Sequence, residues 1–168
     1  MSGAAFHVRR ASVDDAGAIA KVLSQVVAER VHSAIDKAWA ADEQRRYLQQ
    51  LSPREAFHVA IAGSDEVVGY QSLDLYSPVL GALAHVGQIG TFLLPAWRRQ
   101  GVGHALFRET SLFAASVGYR KLVIQVRASN QRAQAFYKRL GFNECGRLRR
   151  QVILDGLEED EIVMECFL

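Results

Sequence analysis

The stretch Leu93-Leu94-Pro95-Ala96-Trp97-Arg98-Arg99-Gln100-Gly101-Val102-Gly103-His104 constrains this chain more than any other. The apolar residues up to Leu94 read as a strand, and Pro95 closes it because proline has no amide proton for a ladder. Arginines and two glycines follow. Val102, Leu106, Phe113 and Val117 then recur on one side of a helix that Gly118 is placed to stop as a left-handed residue. The turn therefore delivers a strand into the first turn of a helix. Amide N–H groups there have no intrahelical acceptors, and the helix dipole adds partial positive charge. Glycine lets a ligand come close to the backbone, since no Cβ intervenes. Such a turn suits a phosphate or pyrophosphate.

Two common phosphate loops fail at their defining residues. A nucleotide P-loop needs Gly-Lys-Ser/Thr, and this turn has Gly103-His104-Ala105. A dinucleotide fingerprint needs a third glycine where Leu106 stands. Taken alone, the turn is equally compatible with a solvated basic cap on a helix.

The rest of the chain alternates between two periods. Phe6 and Val8 predict a short first strand. Ser12 reads as a helix N-cap, followed by Ala16, Ile19, Ala20, Leu23, Val26 and Val27 on one buried face. A second helix is expected from about Ala38 to Leu51. Phe57, Val59 and Ile61 alternate, and the turn residues Gly63 to Glu66 lead into a partner strand from Val67 to Tyr76. Ala84 to Leu94 predicts a further strand, and Leu122 to Arg127 another. Asn130 to Leu140 reads as a short helix ended by Gly141. Two last strands are expected at about Glu144 to Leu154 and Glu161 to Leu168. The order β, α, α, β, β, β, α, β, α, β, β predicts one mixed α/β domain over residues 1–168, its sheet partly antiparallel.

Composition narrows the function. Twenty basic and 18 acidic side chains leave a formal charge of +2. That balance implies neither a nucleic-acid nor a membrane partner. No apolar run approaches the roughly 20 residues needed to cross a bilayer. The opening Met-Ser-Gly-Ala-Ala-Phe-His lacks the apolar stretch of a signal peptide. Two cysteines, Cys145 and Cys166, make no disulfide framework, and a cytoplasmic protein with reduced thiols is expected. Five scattered histidines, with no Cys-x-x-Cys or His-x-x-x-His pair, predict no metal site.

Arg98-Arg99-Gln100-Gly101-Val102-Gly103, after a strand ending Leu93-Leu94-Pro95, resembles the Arg/Gln-x-x-Gly-x-Gly/Ala signature of the GNAT superfamily of acetyl-CoA-dependent N-acetyltransferases. Val126-Arg127-Ala128-Ser129-Asn130, then Ala133, Phe136-Tyr137 and Leu140-Gly141-Phe142, resembles that family's next strand–helix unit. Both blocks stand in the right order, and the resemblance is close over about residues 84 to 154. It implies a GNAT-like mixed sheet flanked by helices, with the fourth and fifth strands splayed.

The resemblance also implies roles. The pyrophosphate of acetyl-CoA, the cosubstrate, would sit on the amides from Arg99 through Gln100, Gly101, Val102 and Gly103 to His104, with Arg98 beside them. The pantetheine arm would pair with the fourth-strand edge near Phe92, Leu93 and Leu94. The Leu93 amide would stabilise the developing oxyanion. Asn130 would contact the cofactor, and Tyr137 would protonate the departing thiolate. From the residues alone, Asn130 reads as an N-cap and Tyr137 as a core residue, two helical turns apart.

No carboxylate stands where many family members keep a base. The fourth strand offers His85 and Gln88, and the fifth has Gln125. A water held by backbone carbonyls, assisted by Gln88, is the expected route, with His85 as the alternative. Acceptor contacts are expected from Glu29, Arg30 and Tyr76, with His32, Trp39 and Arg149 as further candidates. The resemblance implies acetyl transfer to a small-molecule amine, such as an amino acid, in a ternary complex. The rivals are acetylation of a protein N-terminus or lysine, and a non-catalytic acyl-CoA-binding module. A homodimer is suggested by analogy alone.

Overall fold

The computed structural model describes residues 5–168. Residues 1–4, which belong to the opening segment read for a signal peptide, lie outside them. Seven strands form one sheet in the order β1-β2-β3-β4-β5-β7-β6. They are β1 Phe6–Arg10, β2 Ala56–Ala62, β3 Glu66–Leu75, β4 Val86–Leu93, β5 Lys121–Arg127, β6 Asn143–Leu154 and β7 Leu157–Phe167. Four helices flank it: α1 Ala16–Ala28, α2 Ala41–Gln50, α3 Val102–Ser116 and α4 Gln131–Arg139. β1 to β4 are antiparallel neighbours, β4 and β5 run parallel, and β5, β7 and β6 are antiparallel again. The mixed sheet and the element order follow the sequence reading.

Strand alternation sorts the core into two layers. On one face, Phe57, Val59, Ile61 and Tyr70 pack under α1 and α2, against Ile19, Leu23, Val26 and Leu48. On the other face, small residues of β2 and β3 (Ala60, Ala62, Val68) let α3 settle closely through Val102 and Leu106. Leu73, Ile89, Leu122, Ile124, Val126 and Met164 continue that layer toward Tyr137 of α4.

The feature that positions the site is an interrupted ladder. β4 and β5 pair only at Val86↔Lys121, Gly87↔Leu122 and Gln88↔Val123. β4 then runs on to Leu93 along β3, and β5 to Arg127 along β7. Past Gln88 the two strands diverge, as the resemblance implied.

Some boundaries differ from the sequence reading. α2 begins at Ala41, so Trp39 precedes it; the Glu43 carboxylate accepts a hydrogen bond from the Ala40 amide at 2.7 Å and anchors that start. β7 begins at Leu157, four residues before the expected strand, because Arg147–Asp160 and Arg150–Glu158 pairs extend the hairpin outward. Among the described residues, no helix is long and apolar enough to cross a membrane.

Candidate active site

A cavity of about 870 Å³ occupies the divergence of β4 and β5. The β4 ladder fixes what its walls offer. Leu94 N–H donates to Val68 (2.9 Å) and Tyr76 N–H to Val86 (3.4 Å), so the even-numbered residues of β4 spend their backbone groups on β3. In an antiparallel ladder the intervening residues point the opposite way. Ile89, Thr91 and Leu93 therefore turn their N–H and C=O groups toward the gap, where β5 no longer meets them. Apart from the Leu93 carbonyl, this is a row of strand-edge donors and acceptors available to an extended ligand with amides of its own.

Leu93 is held at the mouth. Its carbonyl accepts from Arg98 Nε (3.2 Å) and Nη2 (3.0 Å). The same guanidinium pairs with Glu29 of the segment after α1, at 2.5 and 2.8 Å, and its Nη1 lies 3.0 Å from His32 Nε2. Arg98 thus locks the strand end to the opposite wall, and its charge is spent there rather than on a phosphate. Hydrogen bonding from Arg98 holds the Glu29 carboxyl below the usual carboxylate range.

The basic turn has the backbone its sequence requires. Arg99 and Gly101 take positive φ, 63° and 84°. Gly101 caps α3 and its carbonyl receives the Ala105 amide (3.0 Å). The amides of Val102, Gly103 and His104 open the helix without intrahelical partners. Gly103 touches α4 so closely that a Cβ would lie 2.8 Å from Phe136 Cζ. Arg99, His104, Arg132 and Arg139 line this end of the cavity. A polyanion is the natural ligand of such a rim.

Tyr137 stands between the two ends. It is 4% exposed, and its hydroxyl donates to Thr91 Oγ1 at 2.8 Å. Gln71 Nε2 donates to the same oxygen at 2.7 Å. Burial pushes the phenol up to about 12, against a smaller opposing effect of the Thr91 bond. The group therefore stays protonated at neutral pH and can serve only as a proton donor.

The remaining wall is the segment between α1 and α2, with His32, Ser33, Ala34 and Ile35 on the cavity. It is tied down at several points. Arg127 Nη1 donates to the Arg30 carbonyl (2.7 Å), while the same guanidinium pairs with Glu159. Asn130 Nδ2 donates to the His32 carbonyl at 3.2 Å, and its Oδ1 caps α4 at the Ala133 amide. Arg30 bonds Asp155 at the β6–β7 turn through two nitrogens, at 3.0 and 2.5 Å.

Among the candidates named from sequence, Gln88, Phe92, Leu93, Arg98, Arg99, Gly101, Gly103, His104, Asn130 and Tyr137 line this one cavity. Others do not meet there. Leu94 gives its amide to β3, and the buried Val102 has only backbone to offer. Gln100 turns its side chain back to the Ala96 carbonyl (2.5 Å). His85 precedes the paired part of β4 and β5, at the closed end of the gap, so the alternative base lies away from the cavity. Arg30 is engaged by Asp155, Glu29 by Arg98, and Tyr76 is 44% exposed beyond β3. Thr91, Arg132, Arg139 and Glu161 line the cavity without having been named as site residues. Arg132 and Arg139 are seven apart on α4, a spacing that places them on one helix face.

Comparison with known proteins bears directly on this arrangement. The model of the acetyltransferase (GNAT) family matches residues 25–142. The chain belongs to the GNAT acetyltransferase family. A curated relative, the ribosomal protein bS18-alanine N-acetyltransferase of Escherichia coli, is 39% identical over 70 residues, 42% of this chain and 47% of its own length. The chain thus spans about half the length of the curated relatives it matches. Among solved structures, a phosphinothricin acetyltransferase from Sinorhizobium meliloti, in complex with acetyl-CoA, has a TM-score of 0.89 at 20% identity, over 99% of this chain and 89% of its own. The ribosomal-protein-alanine N-acetyltransferase from Brucella melitensis has a TM-score of 0.88 at 21% identity, over 96% and 99%. At these identities the structures establish the GNAT fold.

The residues at the gap fit acetyl-CoA, the cosubstrate of the GNAT fold. The unpaired β4 edge, the open amides of α3 and the basic rim match its amide-bearing arm and its phosphates. Among the described residues, no group of three or more His, Cys, Asp or Glu could hold a metal ion.

Proposed function

We propose that this protein transfers an acetyl group from acetyl-CoA to the amine of a small molecule by direct attack within the cavity. The single observation that carries the reading is the continuity of one gap. The basic turn lies toward one end, the segment after α1 walls the other, and the free β4 edge and the buried Tyr137 phenol stand between them.

Acetyl-CoA supplies an activated carbonyl as its thioester. The residues of this chain do the rest. The edge of β4 orients the arm, and the Leu93 amide donates to the oxygen that gains charge, a preorganised donor of the kind that is worth roughly 3 kcal/mol in acyl transfer. Arg98 holds Leu93 from its carbonyl side. Tyr137 keeps its proton until a thiolate forms and then gives it up. An amine reaching the carbonyl from the acceptor side would add to its open face, and the tetrahedral carbon so formed would expel the sulfur.

The walls of the chamber favour a small acceptor over a peptide. An internal lysine needs a groove open at both ends and a protein N-terminus a wide open mouth, whereas Arg30–Asp155 joins the segment after α1 to the β6–β7 turn across the acceptor side. Arg127 and Asn130 hold the same segment down from below. A second reading, acetylation of a protein N-terminal alanine, is supported by the partial likeness to the bS18-alanine enzyme. That reading requires the Arg30–Asp155 bridge to part.

Free-thiol release from acetyl-CoA is the test, with amino acids, polyamines, aminoglycosides and peptides bearing a free N-terminal alanine as acceptors. Turnover with free small amines is expected. Turnover with peptides alone would favour the second reading. Tight acetyl-CoA binding without any turnover would overturn both in favour of a binding module.

A further inference from the structure

Acetyl transfer to an alkylamine needs a proton acceptor, because an amine with a lysine-like pKa of roughly 10.4 is charged at neutral pH. β4 and β5 bring the amides Gln88 and Gln125, the Thr91 hydroxyl and the Arg127 guanidinium to the cavity, and none of these accepts a proton near neutral pH. Glu29 is held ionised by Arg98 and committed to it. β7 supplies what these strands lack. Glu161 lines the same cavity and is 7% exposed. It pairs with Arg127 of β5, as Val163 pairs with Gln125, which puts Glu161 on the face of Gln125 and diagonal to it. Among the described residues its carboxylate has no hydrogen bond or ion pair, since the neighbouring Arg127 is taken by Glu159.

From this placement we propose that Glu161 is the general base, taking a proton from the acceptor ammonium at the chamber end of the gap. The proposal rests on the acetyl-transfer reading above. A bare carboxylate buried beside a ligand cavity is costly without a purpose. An arriving ammonium supplies the missing partner.

The charged groups around it can be named. Arg127 faces Glu161 from β5, neutralised by Glu159, which stands two residues away on the same face of β7. β6 presents the apolar Leu148. The segment after α1 brings His32 and the Arg98–Glu29 pair to the opposite wall. Burial first, then the Glu159 charge, raise the Glu161 carboxyl above the ordinary glutamate range, toward the value a base needs near neutrality.

The protons balance. The ammonium loses two on becoming an amide nitrogen. One passes to Glu161 and on to solvent. The other leaves as the C–N bond forms and the C–S bond breaks, and it replaces the proton that Tyr137 gives to sulfur. One proton is released per turnover.

The test compares ethylamine, charged at neutral pH, with methoxyamine, which is neutral there. In Glu161→Gln the ethylamine rate should fall about 100-fold, and the methoxyamine rate by less than about threefold. Acetyl-CoA affinity should be retained, and Glu161→Asp should recover part of the ethylamine rate. Equal losses with both amines would overturn the base and leave the transfer reading standing. No turnover of either amine by the unaltered protein would overturn the transfer reading itself. A second readout does not depend on any variant folding. By carbon-13 NMR of the glutamate carboxyls, one resonance of the unaltered protein should titrate above the rest, and its absence would contradict the proposal.

Discussion

Tyr137 shows how one side chain acquires a role from residues distant in sequence. Its spacing from Phe136 and Leu140 is ordinary core spacing, and it does pack against Phe142, with ring centroids 5.3 Å apart. Its hydroxyl becomes chemically useful through Thr91 of β4 and Gln71 of β3, which only the register Gln71↔Thr91 brings together. No sequence pattern marks either of them, because neither has a neighbour in the chain that reveals its partner. Tyr137→Phe should lower kcat about 100-fold while acetyl-CoA affinity changes little. Steady-state rates beside a direct binding measurement check this, and an unchanged kcat would remove the acid role. With the phenol pushed up to about 12, the proton it would give in the proposed transfer is present throughout the neutral and mildly alkaline range. The kcat profile should accordingly show no alkaline decline from Tyr137 below about pH 11.

Glu161 carries the complementary lesson. In sequence it belongs to an acidic run, Glu158 to Glu161, whose members read together as cross-strand partners of the arginines on β6. Asp160 and Glu158 are such partners, of Arg147 and Arg150. Strand alternation sends Glu161 to another fate, against β5 and the cavity. A β-bulge between Leu148 and Val152 shifts the register of β6 against β7, and a bulge leaves no reliable trace in a pattern of residue types.

At the scale of elements, the turn into α3 was the most legible part of the molecule. Glycine, arginine and the restarting apolar stripe specify a strand end, a left-handed cap and a helix start. Gly101 has φ of 84°, where a side chain strains the backbone. Gly101→Ala should cost about 1 kcal/mol in unfolding free energy. It should also weaken acetyl-CoA binding, because the cap aims the amides of Val102 to His104. Urea unfolding and calorimetric titration separate the two effects; a loss of stability with intact binding would detach the cap from the ligand site. The divergence of β4 and β5 was legible only through the family resemblance. Both strands read as apolar segments, and nothing in their composition says where a ladder stops. The acceptor wall was least legible. Glu29 and Arg30 carry the charges expected of substrate contacts, yet they spend them within the fold, on Arg98 and Asp155. Sequence reveals a charge but not the partner that consumes it.

The whole molecule holds its two helical layers apart with one continuous sheet, and a buried histidine reports on that assembly. His58 of β2 is 6% exposed and sits 3.0 Å from Thr110 Oγ1 of α3, edge-on to Phe113. Burial lowers its pKa to about 4, helped by the Arg10 charge. The folded protein keeps this imidazole neutral where the unfolded chain, near 6.5, already binds a proton. Stability from this site is therefore complete above about pH 6.5 and drains away as pH falls toward 4. The difference amounts to about 3 kcal/mol. Urea midpoints measured from pH 7.5 to 4 should fall accordingly, and much less steeply in His58→Gln. Equal slopes in the two proteins would contradict the linkage.

All of these scales meet in the gap between β4 and β5. A crystal structure of the protein with acetyl-CoA reads it most directly. The thioester oxygen should lie within hydrogen-bonding distance of the Leu93 amide, the pyrophosphate on the amides that open α3, and the sulfur beside Tyr137. A nucleotide bound elsewhere, or strands drawn together past Gln88 with no thioester between them, would contradict the assignment.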